Sequence, residues 1–220
     1  MHLTHRKKKT LFIAQMAMLL AIEAIVCFTP LGSLPIGPLV ATLSHIPVIV
    51  TAILLGTVPG MIMGFAFGLF SFLVWTFMPA SPLAFVFTPF YSFGEISGNF
   101  WSLIICFVPR ILIGLVTGLT FKLFQKAFAR FDKIQVLSYT LAGILGSLTN
   151  TLLVLGGIYA FFGRPYAEVL DVSYDLLLGL IGTSIATNGV LEAVLGGVVA
   201  FAVCKPLRKR LARMNAAKLS

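Results

Sequence analysis

Charge is scarce in this sequence. Asp, Glu, Lys and Arg make up only 10% of its 220 residues, whereas hydrophobic residues make up 59%. Soluble domains carry about 25% charged residues, so the composition excludes an ordinary soluble fold. Long unbroken apolar runs also exclude a β-barrel, whose strands alternate over about ten residues. The sequence therefore predicts an all-α membrane protein that crosses the lipid bilayer several times.

Histidine and cysteine are also few, with three of each. The cysteines lie far apart in apolar runs, which indicates buried side chains and neither a disulfide framework nor a metal site. The chain contains no H-E-x-x-H, no G-x-S-x-G and no G-x-x-x-x-G-K-[ST] phosphate-binding loop. We therefore expect no catalytic residues, no bound metal or cofactor and no ATP hydrolysis in this chain, which is predicted not to be an enzyme.

Positive charge is abundant but local. The net charge is +9, and Lys and Arg cluster at residues 6–9, 122–133 and 205–218, before, between or after apolar runs. Clustering of this kind marks cytoplasmic segments of membrane proteins and does not indicate nucleic-acid binding. Both termini are therefore predicted to be cytoplasmic, in a multi-pass protein of a bacterial plasma membrane.

The apolar runs predict a single membrane domain, residues 1–220, with six transmembrane helices. Their approximate bounds are 10–29, 38–56, 59–77, 100–125, 136–161 and 180–204. The first span is expected to be retained, because its apolar run is long for a signal peptide and no small-x-small cleavage site follows it. Glycines spaced by four residues favour close packing of the third and fourth spans: Gly60, Gly64, Gly68, Gly114 and Gly118.

Polar side chains inside the apolar spans are functional candidates, because placing them in lipid is costly. At their predicted depths, six of them could line one cavity that opens to the outside: Glu23, His45, Arg110, Asn150, Asn188 and Glu192. Pro109 frees a backbone carbonyl one turn earlier, which favours a hydrated, irregular site. The guanidinium of Arg110 offers two parallel N–H groups to a carboxylate or phosphate. A small organic anion is therefore the expected ligand.

Structural roles remain open for the same residues. Arg110 could pair with Glu23 or Glu192 instead of a ligand. His45 could be a helix-packing residue, and the asparagines could join neighbouring helices through hydrogen bonds.

The loop over residues 78–99 and the start of the next span are dense in aromatic residues: Phe85, Phe87, Phe90, Tyr91, Phe93, Phe100 and Trp101. These side chains either cover a small-molecule site or form an interfacial aromatic belt.

The first span carries a stripe of small residues: Ala14, Ala17, Ala21 and Ala24. Two longer stretches are LPIGPLVATLSHIPVIVTAILLGTVPG and FVFTPFYSFGEISGNFWSLIICFVPRILIG, and the fifth and sixth spans carry asparagines. With these features the chain resembles, over nearly its whole length, the substrate-binding S components of energy-coupling-factor (ECF) vitamin transporters, and the two stretches and the asparagines are similar to the branch associated with pantothenate. Ser44 stands where threonine or a similar small residue is expected, which is a mild departure.

The resemblance implies an S-component-like bundle of six helices that captures a vitamin from outside at high affinity. The alanine stripe would face a transmembrane T subunit, and two ATPase subunits bound to that T subunit would use the ATP. Pantothenate is the expected cargo. Alternatives are another vitamin or a pyridoxine-like metabolite, a stand-alone ion-coupled transporter, and a membrane protein with no small ligand.

Depth and chemistry, rather than the family pattern, assign the individual roles. Arg110 is predicted to bind the carboxylate. Tyr91 and Trp101 are predicted to cover the ligand. Its amide and hydroxyl groups are assigned to four polar residues: His45, Asn150, Asn188 and Glu192.

Overall fold

The structure is a computed structural model that describes residues 5–36, 39–129 and 135–210. Most of these residues lie in helices. In chain order they are α1 (His5–Phe28), α2 (Ile46–Leu54), α3 (Thr57–Phe77), α4 (Phe100–Ala127), α5 (Val136–Val169), α6 (Tyr174–Ser184) and α7 (Val190–Val199). A π-helical turn over Ile185–Gly189 joins α6 to α7, and a second over Ala200–Cys204 continues α7. The chain is therefore helical from Tyr174 to Arg210, and the described residues form six helical stretches besides short 3-10 helices.

Five of these stretches are long and apolar enough to cross a bilayer: Lys9–Phe28, Thr57–Phe77, Phe100–Ala127, Val136–Val169 and Tyr174–Arg210. They correspond to the first, third, fourth, fifth and sixth predicted spans, and the last two are longer than predicted. The basic loop around residues 126–135 and the C-terminal tail fall partly outside the described residues. The side of the membrane on which the termini lie stays a prediction.

The segment predicted as the second span, 38–56, is not one membrane-length helix. It is divided between a β-hairpin, in which β1 (Ser33–Ile36) pairs antiparallel with β2 (Leu39–Thr42), and the nine-residue α2. Proline explains the division, because Pro47 can occupy only the first turn of a helix without losing a hydrogen bond, and α2 begins there. Every residue from Pro47 to Ile53 is buried, so this apolar run packs inside the protein instead of facing lipid.

Glycines bring α3 and α4 into close contact, as predicted. A methyl group added at Gly60 would lie 3.2 Å from the Cα of Gly114, and one added at Gly64 would lie 2.9 Å from the Cα of Ile111. Backbones approach this closely only where side chains are absent. The middle of α4 is therefore held directly against α3, and this is the part of α4 that carries Arg110.

The long loop between α3 and α4 folds back onto the bundle. It contains a 3-10 helix (Pro82–Val86) and a short hairpin of β3 (Ser92–Phe93) and β4 (Ile96–Ser97). Ser102 near the start of α4 donates its hydroxyl to the Phe85 carbonyl at 2.7 Å, and the hydroxyls of Thr76 and Thr88 lie 2.7 Å apart. These bonds hold the loop on both sides of Phe87.

Candidate ligand-binding cavity

A cavity of about 270 Å3 lies where the segments that follow α1 and α3 meet α3, α4 and α5. Its lining combines hydroxyl and amide groups with apolar and aromatic side chains: Cys27, Thr29, Gly32, Thr42, Ser44, Phe67, Ser71, Val74, Trp75, Phe87, Arg110, Asn150 and Val154. Among these described lining residues, Arg110 is the only charged one. The cavity is thus a mixed polar and apolar chamber with one positive charge.

Arg110 donates a hydrogen bond to a backbone carbonyl that Pro109 leaves without an amide partner. Pro109 has no N–H, so the carbonyl of Ile105, four residues earlier, has no amide partner within α4. Nη1 of Arg110 donates to this carbonyl at 2.6 Å. The prediction that Pro109 frees a carbonyl one turn earlier is confirmed, and the freed acceptor is used by the neighbouring arginine.

Two aromatic rings also contact the guanidinium. The Cζ atom lies over the ring of Phe67 at 5.5 Å and over the ring of Phe87 at 5.2 Å. Neither Glu23 nor Glu192 pairs with Arg110, and in the part of the chain that the structure describes its Nε has no hydrogen-bond partner. Arg110 is only 6% exposed, yet the described groups that contact its guanidinium are uncharged.

By contrast, both carboxylate oxygens of Glu192 accept hydrogen bonds from other parts of the protein. One carboxylate oxygen accepts from the backbone N–H of Thr42 at 2.9 Å, and the other accepts from the Thr151 hydroxyl at 3.0 Å. Since Thr42 lines the cavity, Glu192 ties one wall of the cavity to α5 and α7. A direct bond from Glu192 to a ligand stays a prediction.

Asn150 is the second predicted site residue that lines the cavity. Its side chain is 9% exposed, and its Oδ1 has no hydrogen-bond partner among the described residues. The side chain therefore has an unpaired acceptor at the cavity wall.

His45 and Asn188 are not part of the lining. His45 is buried beside the lining residue Ser44, and its Nε2 lies 2.9 Å from the Ser147 hydroxyl on α5. Asn188 lies in the first π-helical turn of the last membrane helix. The structure therefore brings Arg110 and Asn150 together and places His45 next to the cavity wall, whereas Asn188 is outside it.

The aromatic wall differs from the predicted cover. Trp101 is 43% exposed and stacks on Phe161, with ring centroids 4.1 Å apart. Tyr91 packs against the cluster around Phe85, and neither residue is among the lining residues. Phe67, Trp75 and Phe87 line the cavity instead. The spacing of Phe67 and Trp75 in the sequence does not distinguish them from other aromatic residues, and Phe87 is one of several aromatic residues in the loop.

The two sides of α1 differ in chemistry. Glu23 is fully buried, and one of its carboxylate oxygens accepts from the Cys27 thiol at 3.3 Å; Cys27 lines the cavity. The residues of the predicted docking stripe are exposed or half-buried instead: Ala14, Ala17, Ala21 and Ala24. The helix thus presents its polar pair inward and its small residues outward.

Comparisons with known proteins identify the family and the fold of the chain. A family model described as "ECF transporter, substrate-specific component" matches residues 11–204. The pantothenic acid transporter PanT of Lactococcus lactis subsp. cremoris (strain MG1363) is 34% identical over 210 residues, which cover 93% of this chain and 97% of that protein. A crystal structure of the S component for biotin from an ECF-type ABC transporter matches with a TM-score of 0.55 and 15% identity, over 94% of this chain and 95% of that chain. At 15% identity, the likeness to the S component for biotin concerns the fold alone.

Proposed function

Because this chain belongs to the family of substrate-specific components of ECF transporters, we propose that it binds pantothenate for import into the cell. The family consists of multi-pass plasma-membrane transporter components and not of enzymes. The observation that carries the proposal is the state of Arg110: a guanidinium inside the bundle lines a cavity with no carboxylate beside it in the described part of the chain. A ligand carboxylate supplies the missing negative charge.

The rest of the cavity suits the rest of pantothenate. This vitamin has a single carboxylate, an amide, two hydroxyls and a pair of methyl groups. The lining offers Asn150 and Ser71 to the polar groups, and Val74 and Val154 to the methyl groups. Its volume of about 270 Å3 lies near the lower end of small-molecule sites, roughly 300 Å3. The identity to PanT along nearly the whole chain supports the same cargo.

Import requires energy that this chain does not supply. We infer that the chain delivers its cargo to a transmembrane T subunit carrying two ATPase subunits, which use the ATP. The exposed Ala14, Ala17 and Ala21 on α1 form the docking face, because small residues let a partner helix approach closely.

Titration calorimetry on the detergent-purified chain tests the cargo. We expect pantothenate to bind with a dissociation constant below the micromolar range and pyridoxine, which has no carboxylate, not to bind detectably. Absence of pantothenate binding at micromolar concentrations would contradict the proposal. Pantothenate uptake by cells that express this chain without any T or ATPase subunit would contradict the dependence on partners and favour a stand-alone transporter.

A further inference from the structure

We propose that Phe67 and Phe87 are positioning residues for Arg110, and that together they make the cavity selective for a monocarboxylate with an uncharged body. The choice of pantothenate as the ligand rests on the proposed function. The role of the two rings rests on the geometry around the guanidinium.

The two rings come from elements other than the helix that carries the arginine. Phe67 belongs to α3 and is 3% exposed, so its ring is fixed by packing. Phe87 follows the 3-10 helix in the loop after α3, and its ring stacks on Trp75 at 5.2 Å with an angle of 22° between the planes. Together with the Ile105 carbonyl, which accepts from Nη1, the rings hold the guanidinium in one place before a ligand arrives.

These partners stabilise the cation without neutralising it. An aromatic face attracts a guanidinium through its quadrupole, and a carbonyl does so through its dipole. A glutamate in the same place would form an ion pair, and a ligand carboxylate would then have to displace it. Since the described neighbours of Arg110 are uncharged, its full positive charge remains available, and the ligand carboxylate neutralises it with little rearrangement of the protein.

The same arrangement disfavours ligands that carry an ammonium group. Among the described lining residues no carboxylate faces the cavity, so an ammonium would lie near Arg110 without a counter-charge. Like charges that approach each other in a low-dielectric site repel strongly. The favoured class of ligand is therefore an acid with one negative charge and a neutral remainder, and a free amino acid is disfavoured.

Comparing pantothenate with panthenol shows whether Phe87 acts by positioning Arg110 or by packing in general. Panthenol is pantothenate with its carboxylate replaced by a hydroxymethyl group, so it shares every contact except the one to Arg110. We expect Phe87→Leu to weaken pantothenate binding about tenfold more than panthenol binding, a factor typical of losing a cation–π contact in a desolvated site. Phe87→Tyr keeps the ring and should keep the affinity. Equal losses for both ligands, or no loss for either, would overturn the inference.

Phe85→Leu is the matched control. Phe85 lies two residues from Phe87 in the same loop, is fully buried and packs against Phe162 at 5.6 Å between ring centroids. The same truncation there removes the same atoms without touching Arg110. It should change the affinities for pantothenate and panthenol by the same factor, and a selective loss of pantothenate binding in this variant would also count against the inference.

A ligand-free measurement keeps the inference separate from the proposed function. In protein labelled with 15N-arginine, we expect the side-chain N–H signal of Arg110 to be shifted upfield by the ring currents of Phe67 and Phe87; Arg110→Lys identifies the signal by removing it. Phe87→Leu should move it downfield. If the wild-type chain binds no pantothenate, the proposed function fails while this shift still decides the role of the rings. An unchanged signal in Phe87→Leu would overturn that role.

Discussion

Arg110 and Glu192 are buried to the same extent, each with 6% of its surface exposed, yet their surroundings differ in kind. Both oxygens of Glu192 accept hydrogen bonds from groups on other elements, the N–H of Thr42 and the hydroxyl of Thr151. Arg110 has one carbonyl of its own helix and two ring faces. Two equally buried charges therefore differ in how completely the described protein groups pair with them.

The difference has an energetic meaning. A buried charge with complete hydrogen bonding is part of the fold, and removing it leaves its partners unsatisfied. A buried charge with only neutral partners costs stability in the empty protein, and a ligand recovers that cost when it binds. Substitution of Arg110 should therefore affect ligand binding more than stability, and substitution of Glu192 should affect stability more than ligand binding.

The largest effect is expected from Arg110→Ala on binding. Losing one partner of a buried, hydrogen-bonded charge pair costs about 2–5 kcal/mol of binding free energy, and Arg110→Lys should lie between this variant and the wild type because lysine lacks the paired N–H groups. The ligand-free protein should unfold at the same or a higher temperature. Calorimetric titration and thermal unfolding in detergent measure the two quantities.

Arg208→Ala is the control for this substitution. Arg208 also stacks on a phenylalanine, Phe121, at 5.1 Å, but it does not line the cavity. Pantothenate affinity should be unchanged in this variant. If Arg110→Ala instead lowered the unfolding temperature and spared binding, Arg110 would be a structural residue like Glu192.

Glu192→Ala is expected to show the converse. It leaves the Thr42 N–H and the Thr151 hydroxyl without their acceptor, at a cost of about 1–3 kcal/mol in the free energy of unfolding. Pantothenate binding should weaken less than in Arg110→Ala, because the effect reaches the cavity only through the position of Thr42. Thr151→Val removes one of the two bonds and should give a smaller loss of stability. A variant as stable as wild type with no pantothenate binding would place Glu192 in contact with the ligand.

Gly64→Ala tests the support behind Arg110. A methyl group at this position meets the backbone of Arg110 and Ile111 on α4, and overpacking of this kind costs about 1–3 kcal/mol. We expect lower stability and weaker binding together, by thermal unfolding and titration. Gly156→Ala on α5 is the control, since a methyl group there meets nothing within 4 Å in the described part of the chain. Equal behaviour of the two variants would contradict the close packing of α3 and α4.

The smallest effect on binding is expected from Ala17→Leu combined with Ala21→Leu. Both side chains are exposed on the outer face of α1, away from the cavity lining. Pantothenate affinity should remain at the wild-type value, while uptake by cells that contain the partner subunits should fall. A loss of affinity in the purified variant would mean that α1 does not separate its docking face from the cavity.

Much of the fold and part of the site could be predicted from the sequence, and the reason is local chemistry. Span lengths follow from apolar runs, and Pro109 frees the Ile105 carbonyl whatever surrounds it. The α2 segment could not be predicted as a short core helix, because an apolar run looks the same whether it is buried in lipid or in protein. The partners of Glu192 lie 150 and 41 residues away along the chain, and no spacing rule connects them.

Phe67 and Phe87 illustrate the remaining gap. The sequence contains 20 phenylalanines, and a ring that faces lipid has the same pattern as a ring that faces a cation. Their relation to Arg110 depends on how α3, the following loop and α4 are placed in three dimensions. The sequence predicts the depth of Arg110 in the membrane, but depth alone does not decide whether the guanidinium pairs with a protein carboxylate or with a ligand.

Pro109 and Arg110 both determine how the Ile105 carbonyl is used. Any residue other than proline at position 109 restores an amide that can donate to Ile105, and this amide then competes with the arginine for the carbonyl. Conversely, without arginine at position 110 the proline leaves an unpaired carbonyl inside the bundle. Among relatives that carry the same cargo, we expect this dipeptide to be kept or replaced as a unit, which makes it a compact marker for sorting members of the family by the charge of what they carry.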